Sequence, residues 1–111
     1  MAEAMLLGKP VIATAYSGNM DFMTDETALL VPWKYVEVGE GAEGYPSDAV
    51  WAEPDLSVAS SMMRKVFQDK EFGRVLGGRA KRDLQTRFSP EATGARMKNR
   101  LENIWRKHNG K

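Results

Sequence analysis

The sequence predicts an α/β fold with two short parallel strands, a hairpin excursion and three C-terminal helices. Three observations carry this expectation. Val11-Ile-Ala-Thr and Ala28-Leu-Leu-Val are brief, continuous apolar runs bounded by turn signals, as in strands buried on both faces of a parallel sheet. Residues 33–54 alternate and carry a glycine-rich centre, as a surface hairpin or long loop does. Residues 56–107 repeat apolar side chains at helical spacing, with restart signals at Asp55 and Ser89.

Met1–Leu7 has helix formers and no breaker until Gly8, which suits the left-handed position just past a helix end. Pro10 cannot continue a helix, so Val11–Thr14 starts a new element, the first strand. A helix of two turns is too short to stand alone, so the sequence reads as starting inside a helix. Ser17-Gly-Asn signals a turn, and Asp21–Met23 a short helical turn. Ala28–Val31 is the second strand and stops at Pro32. Trp33–Val38 and Ala49–Pro54 form the arms of the excursion, with Gly39–Pro46 as its loop. Trp33, Tyr35, Tyr45 and Trp51 are expected to pack across the hairpin; stacking on a sugar or acceptor is the other reading.

Asp55 is placed to cap a helix over Leu56–Gln68, with Val58, Met62 and Val66 on one face. After an Asp69-Lys70 connection, a second helix runs Glu71–Arg87 along the stripe Phe72, Leu76, Ala80, Leu84 and Phe88. Gly77-Gly78 is expected to weaken it by about 1 kcal/mol per glycine relative to alanine. Ser89 at N-cap, Pro90 at N1 and Glu91 in the first turn start a third helix, Pro90–Lys107. Its stripe Met97, Leu101, Ile104 and Trp105 is expected to face the core; a stripe partly exposed, or buried in an oligomer, is the other reading.

The 111 residues suit a single domain over 1–111. No apolar run approaches the ~20 residues of a membrane span, and Met1-Ala-Glu-Ala lacks the basic cluster of a signal peptide. A cytoplasmic protein, or one associated with a membrane surface, is expected. Without cysteine there is no disulfide or thiolate chemistry. His108 is the single histidine, which leaves no His-based metal site and no Ser/His triad. Asp21 stands alone and Asp25-Glu26 are adjacent, so no Asp-x-Asp metal run exists. The net charge of +1 hides an asymmetry. Residues 1–63 hold two basic and ten acidic side chains; residues 64–111 hold fourteen basic and five acidic. Basic outer helix faces explain this, and so would a surface for phosphates or anionic lipid.

The most informative stretch is Glu3-Ala-Met-Leu-Leu-Gly-Lys-Pro-Val-Ile-Ala-Thr-Ala-Tyr-Ser-Gly-Asn. It resembles the donor-site helix and following strand of the retaining, two-domain (GT-B type) glycosyltransferases of the group 1, or family 4, class. Gly18-Asn-Met-Asp-Phe-Met, Ala28–Val31 and the helices through Arg87-Phe-Ser-Pro-Glu resemble the family's next segments. The resemblance implies a partial Rossmann-like domain, the C-terminal part of a nucleotide-sugar-binding domain. It implies hexosyl transfer from a nucleotide-diphosphate sugar to a saccharide or lipid-linked acceptor, with no cofactor and no metal.

By the same resemblance Glu3 is the second member of a Glu-x7-Glu pair and holds the donor ribose. An ionised carboxylate suits that role, because it accepts from two adjacent hydroxyls. Ser17 and Gly18 offer backbone N–H groups toward the donor, or form a plain turn. The pair's first glutamate, the cations that neutralise the diphosphate and the N-terminal acceptor domain have no counterpart here. No catalytic residue is therefore assigned, Lys9 reads as exposed, and the chain is expected to be an inactive piece of a larger enzyme. An incomplete sheet would leave one edge open to self-association. The alternative function is a basic helical module that binds nucleic acid or anionic membrane. Nucleic acid is the less expected partner, since no aromatic–basic interleaving is present.

Overall fold

The computed structural model describes residues 1–109 and is mixed α/β. Helix α1 (Ala2–Leu6) leads into strand β1 (Ile12–Thr14). A single 3-10 turn (Ser17–Asp21) precedes β2 (Leu29–Val31). The hairpin β3 (Trp33–Glu37) and β4 (Val50–Pro54) comes next, followed by α2 (Leu56–Gln68), α3 (Lys70–Arg87) and α4 (Pro90–Asn109).

The two expected strands pair in parallel, with Ile12 opposite Leu29 and Thr14 opposite Val31. In this register Leu29 N–H donates to Val11 O and Ala15 N–H to Val31 O, both at 2.9 Å. Alternate residues of a parallel strand serve one neighbour, so the backbone of Ile12 is turned to the outer edge of β1. The hairpin is a separate antiparallel pair, Trp33 opposite Pro54 and Glu37 opposite Val50.

Gly8 ends α1 as its position in the sequence predicts. Its φ is +72°, its N–H donates to Met5 O at 2.8 Å, and Lys9 N–H donates to Ala4 O at 2.9 Å. These two bonds satisfy carbonyls that a helix end leaves orphaned, in the Schellman pattern. The helix delivers Met5 into the core with no exposed surface, a burial worth about 1.5–3 kcal/mol. Val11, Met23, Ala28, Ala80 and Leu84 complete that core.

Asp69 closes α2 and opens α3, so the two helices are joined through a single residue and α3 starts one position earlier than expected. Its carboxylate accepts from Phe72 N–H at 2.9 Å and from Lys65 Nζ at 2.6 Å. Those bonds, the Lys65 one first, hold its pKa below the ordinary carboxylate value. Asp55 caps α2 as expected, accepting from the N–H groups of Ser57 and Val58.

Two expectations are corrected. The buried face of α3 is Gly73, Leu76, Gly77, Ala80 and Leu84, and Phe88 at the end of the proposed stripe is exposed. Gly77 is a requirement of packing. A Cβ there would overlap the Gly8 carbonyl, standing 2.6 Å from its carbon and 3.0 Å from that of Lys9. The second correction concerns α4, whose Met97, Leu101, Ile104 and Trp105 do not face the core. The helix buries no residue. Ala92 is half-buried, and the Arg96 guanidinium lies 5.2 Å from the Phe88 ring centre; every described residue from Thr93 onward is exposed.

The adjacent glycines should therefore behave oppositely. Gly77→Ala should lower stability by about 1–3 kcal/mol, the cost of forcing a group into a filled space. Gly78→Ala, where the nearest atom is the end of the Arg82 side chain at 3.8 Å, should raise it by about 0.5–1 kcal/mol. Urea unfolding of the two variants measures both signs.

Candidate functional site

The chain leaves β1 through Ala15-Tyr16-Ser17, at the carboxyl end of the parallel pair, where open α/β sheets bind ligands. Local bonds fix this exit. Tyr16 N–H donates to Thr14 O at 2.8 Å. The Asn19 side-chain amide donates to the same oxygen at 2.9 Å and lies 3.5 Å from the sulfur of buried Met23. Ser17 is held at φ +68°, the one non-glycine residue with positive φ among those described. Such a backbone costs a residue with a Cβ roughly 1–2 kcal/mol, and it persists because the bonds around it leave no alternative. The expected turn at Ser17-Gly-Asn is thus the start of the 3-10 turn, which absorbs the segment expected at Asp21–Met23 up to Asp21.

The hairpin is pinned to this exit. The Trp33 indole N–H donates to Ala15 O. Tyr16 packs edge-to-face on Trp33 with ring centres 4.7 Å apart, and Trp33 packs likewise on Tyr35 at 4.7 Å. Each such pair contributes about 0.5–1.5 kcal/mol beyond its buried area. This corrects the expected cross-strand packing. Trp33 and Tyr35 share a face of one strand and meet Tyr16, while Trp51 meets Tyr45 from the loop at 6.5 Å. Tyr16 went unnoticed in the sequence because no spacing rule links it to Trp33.

Between the β1 exit and the hairpin lies an open recess of ≈ 430 Å³, lined by Met1, Ile12, Ala13, Thr14, Tyr16, Asn19 and Ala52. No Lys or Arg side chain lines it. Glu3 sits beside this recess rather than in its wall. Its side chain is 88% exposed, and its Oε2 lies 3.3 Å from the ammonium of Met1. Its own backbone N–H first, and then that ammonium, hold the carboxyl below its ordinary pKa, so it is ionised at neutral pH. Ser17 and Gly18 are exposed, and a Cβ on Gly18 would meet nothing within 4 Å. Among the described residues no hydrogen bond joins Glu3 to Ser17 or Gly18. Lys9 is exposed at the far end of α1, as the sequence suggests.

Comparison with family models, with curated proteins and with solved structures gives no match for this chain. The candidate site therefore stands on its own residues: an exposed carboxylate on α1, an aromatic-edged recess, and a backbone loop held in a left-handed turn.

That loop can be tested from both sides. Asn19→Ala removes the bond to Thr14 O and should cost about 1 kcal/mol. Ser17→Gly relieves the left-handed backbone and should add stability, by up to about 1 kcal/mol. Thermal unfolding of the two variants should show midpoints on opposite sides of the parent.

Proposed function

We propose that this chain supplies the ribose-holding part of the donor site of a retaining glycosyltransferase that uses a nucleotide-diphosphate sugar. In this reading the β1–β2 pair with α1, α2 and α3 is part of a Rossmann-like unit. The acceptor is a saccharide or a lipid-linked saccharide.

The observation that carries the reading is the run from Glu3 to Asn19 together with its local build. A helix stopped by left-handed Gly8 gives way, through Pro10, to a parallel strand. That strand's carboxyl end opens on a recess. The exposed, ionised Glu3 carboxylate beside it is suited to accept from both hydroxyls of a vicinal diol. Ser17 and Gly18 are exposed, and a Cβ on Gly18 would meet nothing within 4 Å. The recess offers no Lys or Arg to a diphosphate, and stabilising a departing diphosphate takes positioned charge. The chain alone is therefore expected to bind nucleotide weakly and to transfer no sugar.

Isothermal titration with UDP, GDP and ADP tests this. One of the three should bind, and Glu3→Ala should weaken it at least about tenfold, the loss of a charge-assisted hydrogen bond. The 2′,3′-dideoxy nucleotide should bind the parent as weakly as the variant, and Glu3→Ala should weaken it no further. Affinity should be flat through neutral pH, because Glu3 stays ionised there. Equal nucleotide binding by parent and Glu3→Ala would remove Glu3 from the site, and binding of none of the three would end the proposal.

A further inference from the structure

The parallel ladder ends in an unusual way. Leu29 N–H donates to Val11 O, and Ala15 N–H donates to Val31 O. Stepping two residues along each strand, the next rung in this register would run from the backbone N–H of Trp33 to Ala15 O. In the structure that oxygen accepts the indole N–H of the same residue. A side chain of the hairpin thus closes the last rung of the sheet, just past Pro32, where β2 has stopped.

This bond fixes one end of the β1 exit loop. It holds the Ala15 carbonyl, and the Trp33 ring packs on Tyr16. The other end is fixed locally. The Asn19 amide donates to Thr14 O at 2.9 Å, and Asn19 O accepts from Phe22 N–H and Met23 N–H. Only Ser17 and Gly18 lie between the two fixed ends. Ser17 takes the left-handed backbone at φ +68°, and its neighbour Gly18 does not, although glycine would adopt it without a steric cost. The position of the left-handed residue is therefore dictated by what holds the loop ends, and not by residue preference. The local bond spans five residues; the Trp33 bond spans eighteen and brings in the hairpin. The same hairpin gives Ala52 to the wall of the recess.

We propose that Trp33 is a positioning residue of the candidate site. Its indole bond to Ala15 O holds Ser17 left-handed, so the rim of the recess takes its shape only with the hairpin docked. The expected effect on nucleotide rests on the donor-site reading; the effect on Ser17 does not.

NMR and titration of the intact chain provide the test. Ser17 of the parent should show the strong contact between its own amide and α protons that a left-handed residue gives. Trp33→Phe keeps a ring and loses the N–H. It should abolish that signal and weaken the tightest-binding of UDP, GDP and ADP about fivefold, the loss of one hydrogen bond. With Ser17→Gly already in place, the same change should cost less than about twofold, because glycine accepts the left-handed backbone freely. In the parent itself, the Trp33 indole proton and the Tyr16 amide should exchange with equal free energies of opening. A Ser17 signal retained in Trp33→Phe, an equal loss of affinity with and without Ser17→Gly, or an indole proton that exchanges freely while Tyr16 stays protected would each overturn the proposal. If none of the three nucleotides binds the parent, the donor-site reading falls, and the Ser17 signal and the exchange data still decide the role of Trp33.

Discussion

At Gly77 the backbone of α3 lies directly against the carbonyl of Gly8, in space that a single methyl group would fill. This contact sets the height of α1 over α3, and much else follows from it. Gly8 is also the left-handed stop of α1, so the residue that ends the helix is the one the third helix rests on. From there Pro10 turns the chain into β1, and Gly73 of α3 lies under Pro10, where an added Cβ would find its ring at 3.5 Å. The glycines of α3 are spaced to let a helix-to-strand turn settle into it. Close packing of this kind is short-ranged and intolerant of added volume.

The candidate site depends on that arrangement at one remove. Met5 is driven into the core between β1 and α3, which directs Glu3 outward to solvent. At the other end of β1, Asn19 ties the exit to Thr14, and Met23 beneath it belongs to the same core. Arg87, near the end of α3, donates to Phe22 O at 3.1 Å and closes the circuit from α3 back to the 3-10 turn. The hairpin is fastened above through Trp33. The recess is thus bounded by elements that answer to one core, with a strained serine at its rim.

Most of the architecture could be read from the sequence because its signals are local. Gly8 and Pro10 mark the end of α1, Asp55 and Ser89 cap helices, and two short apolar runs give the parallel pair. Gly77 could not be read this way. By helix propensity it is a cost, and its purpose appears only when a backbone distant in sequence is brought against it. The aromatic cluster failed for the same reason, since Tyr16 and Trp33 meet through the docking of the hairpin and not through strand register. The α4 stripe misled because spacing shows that a helix has an apolar face and not whether anything packs on it; beyond Ala92 every described residue of α4 is exposed. Of the site residues, Glu3 stood out only through its surrounding run. Ser17 and Gly18 were recognisable as a turn, and the left-handed backbone of Ser17 was not foreseeable in a residue with a Cβ.

Native-state amide hydrogen exchange on the intact chain tests most directly whether the Gly8–Gly77 contact governs the fold. The Gly8 and Lys9 amides, which close the Schellman pattern, should open only together with the buried amides of α3 around Leu76 and Ala80, with equal free energies. Rapid exchange of Gly8 and Lys9 while α3 stays protected would show that α1 detaches freely, and would contradict this account.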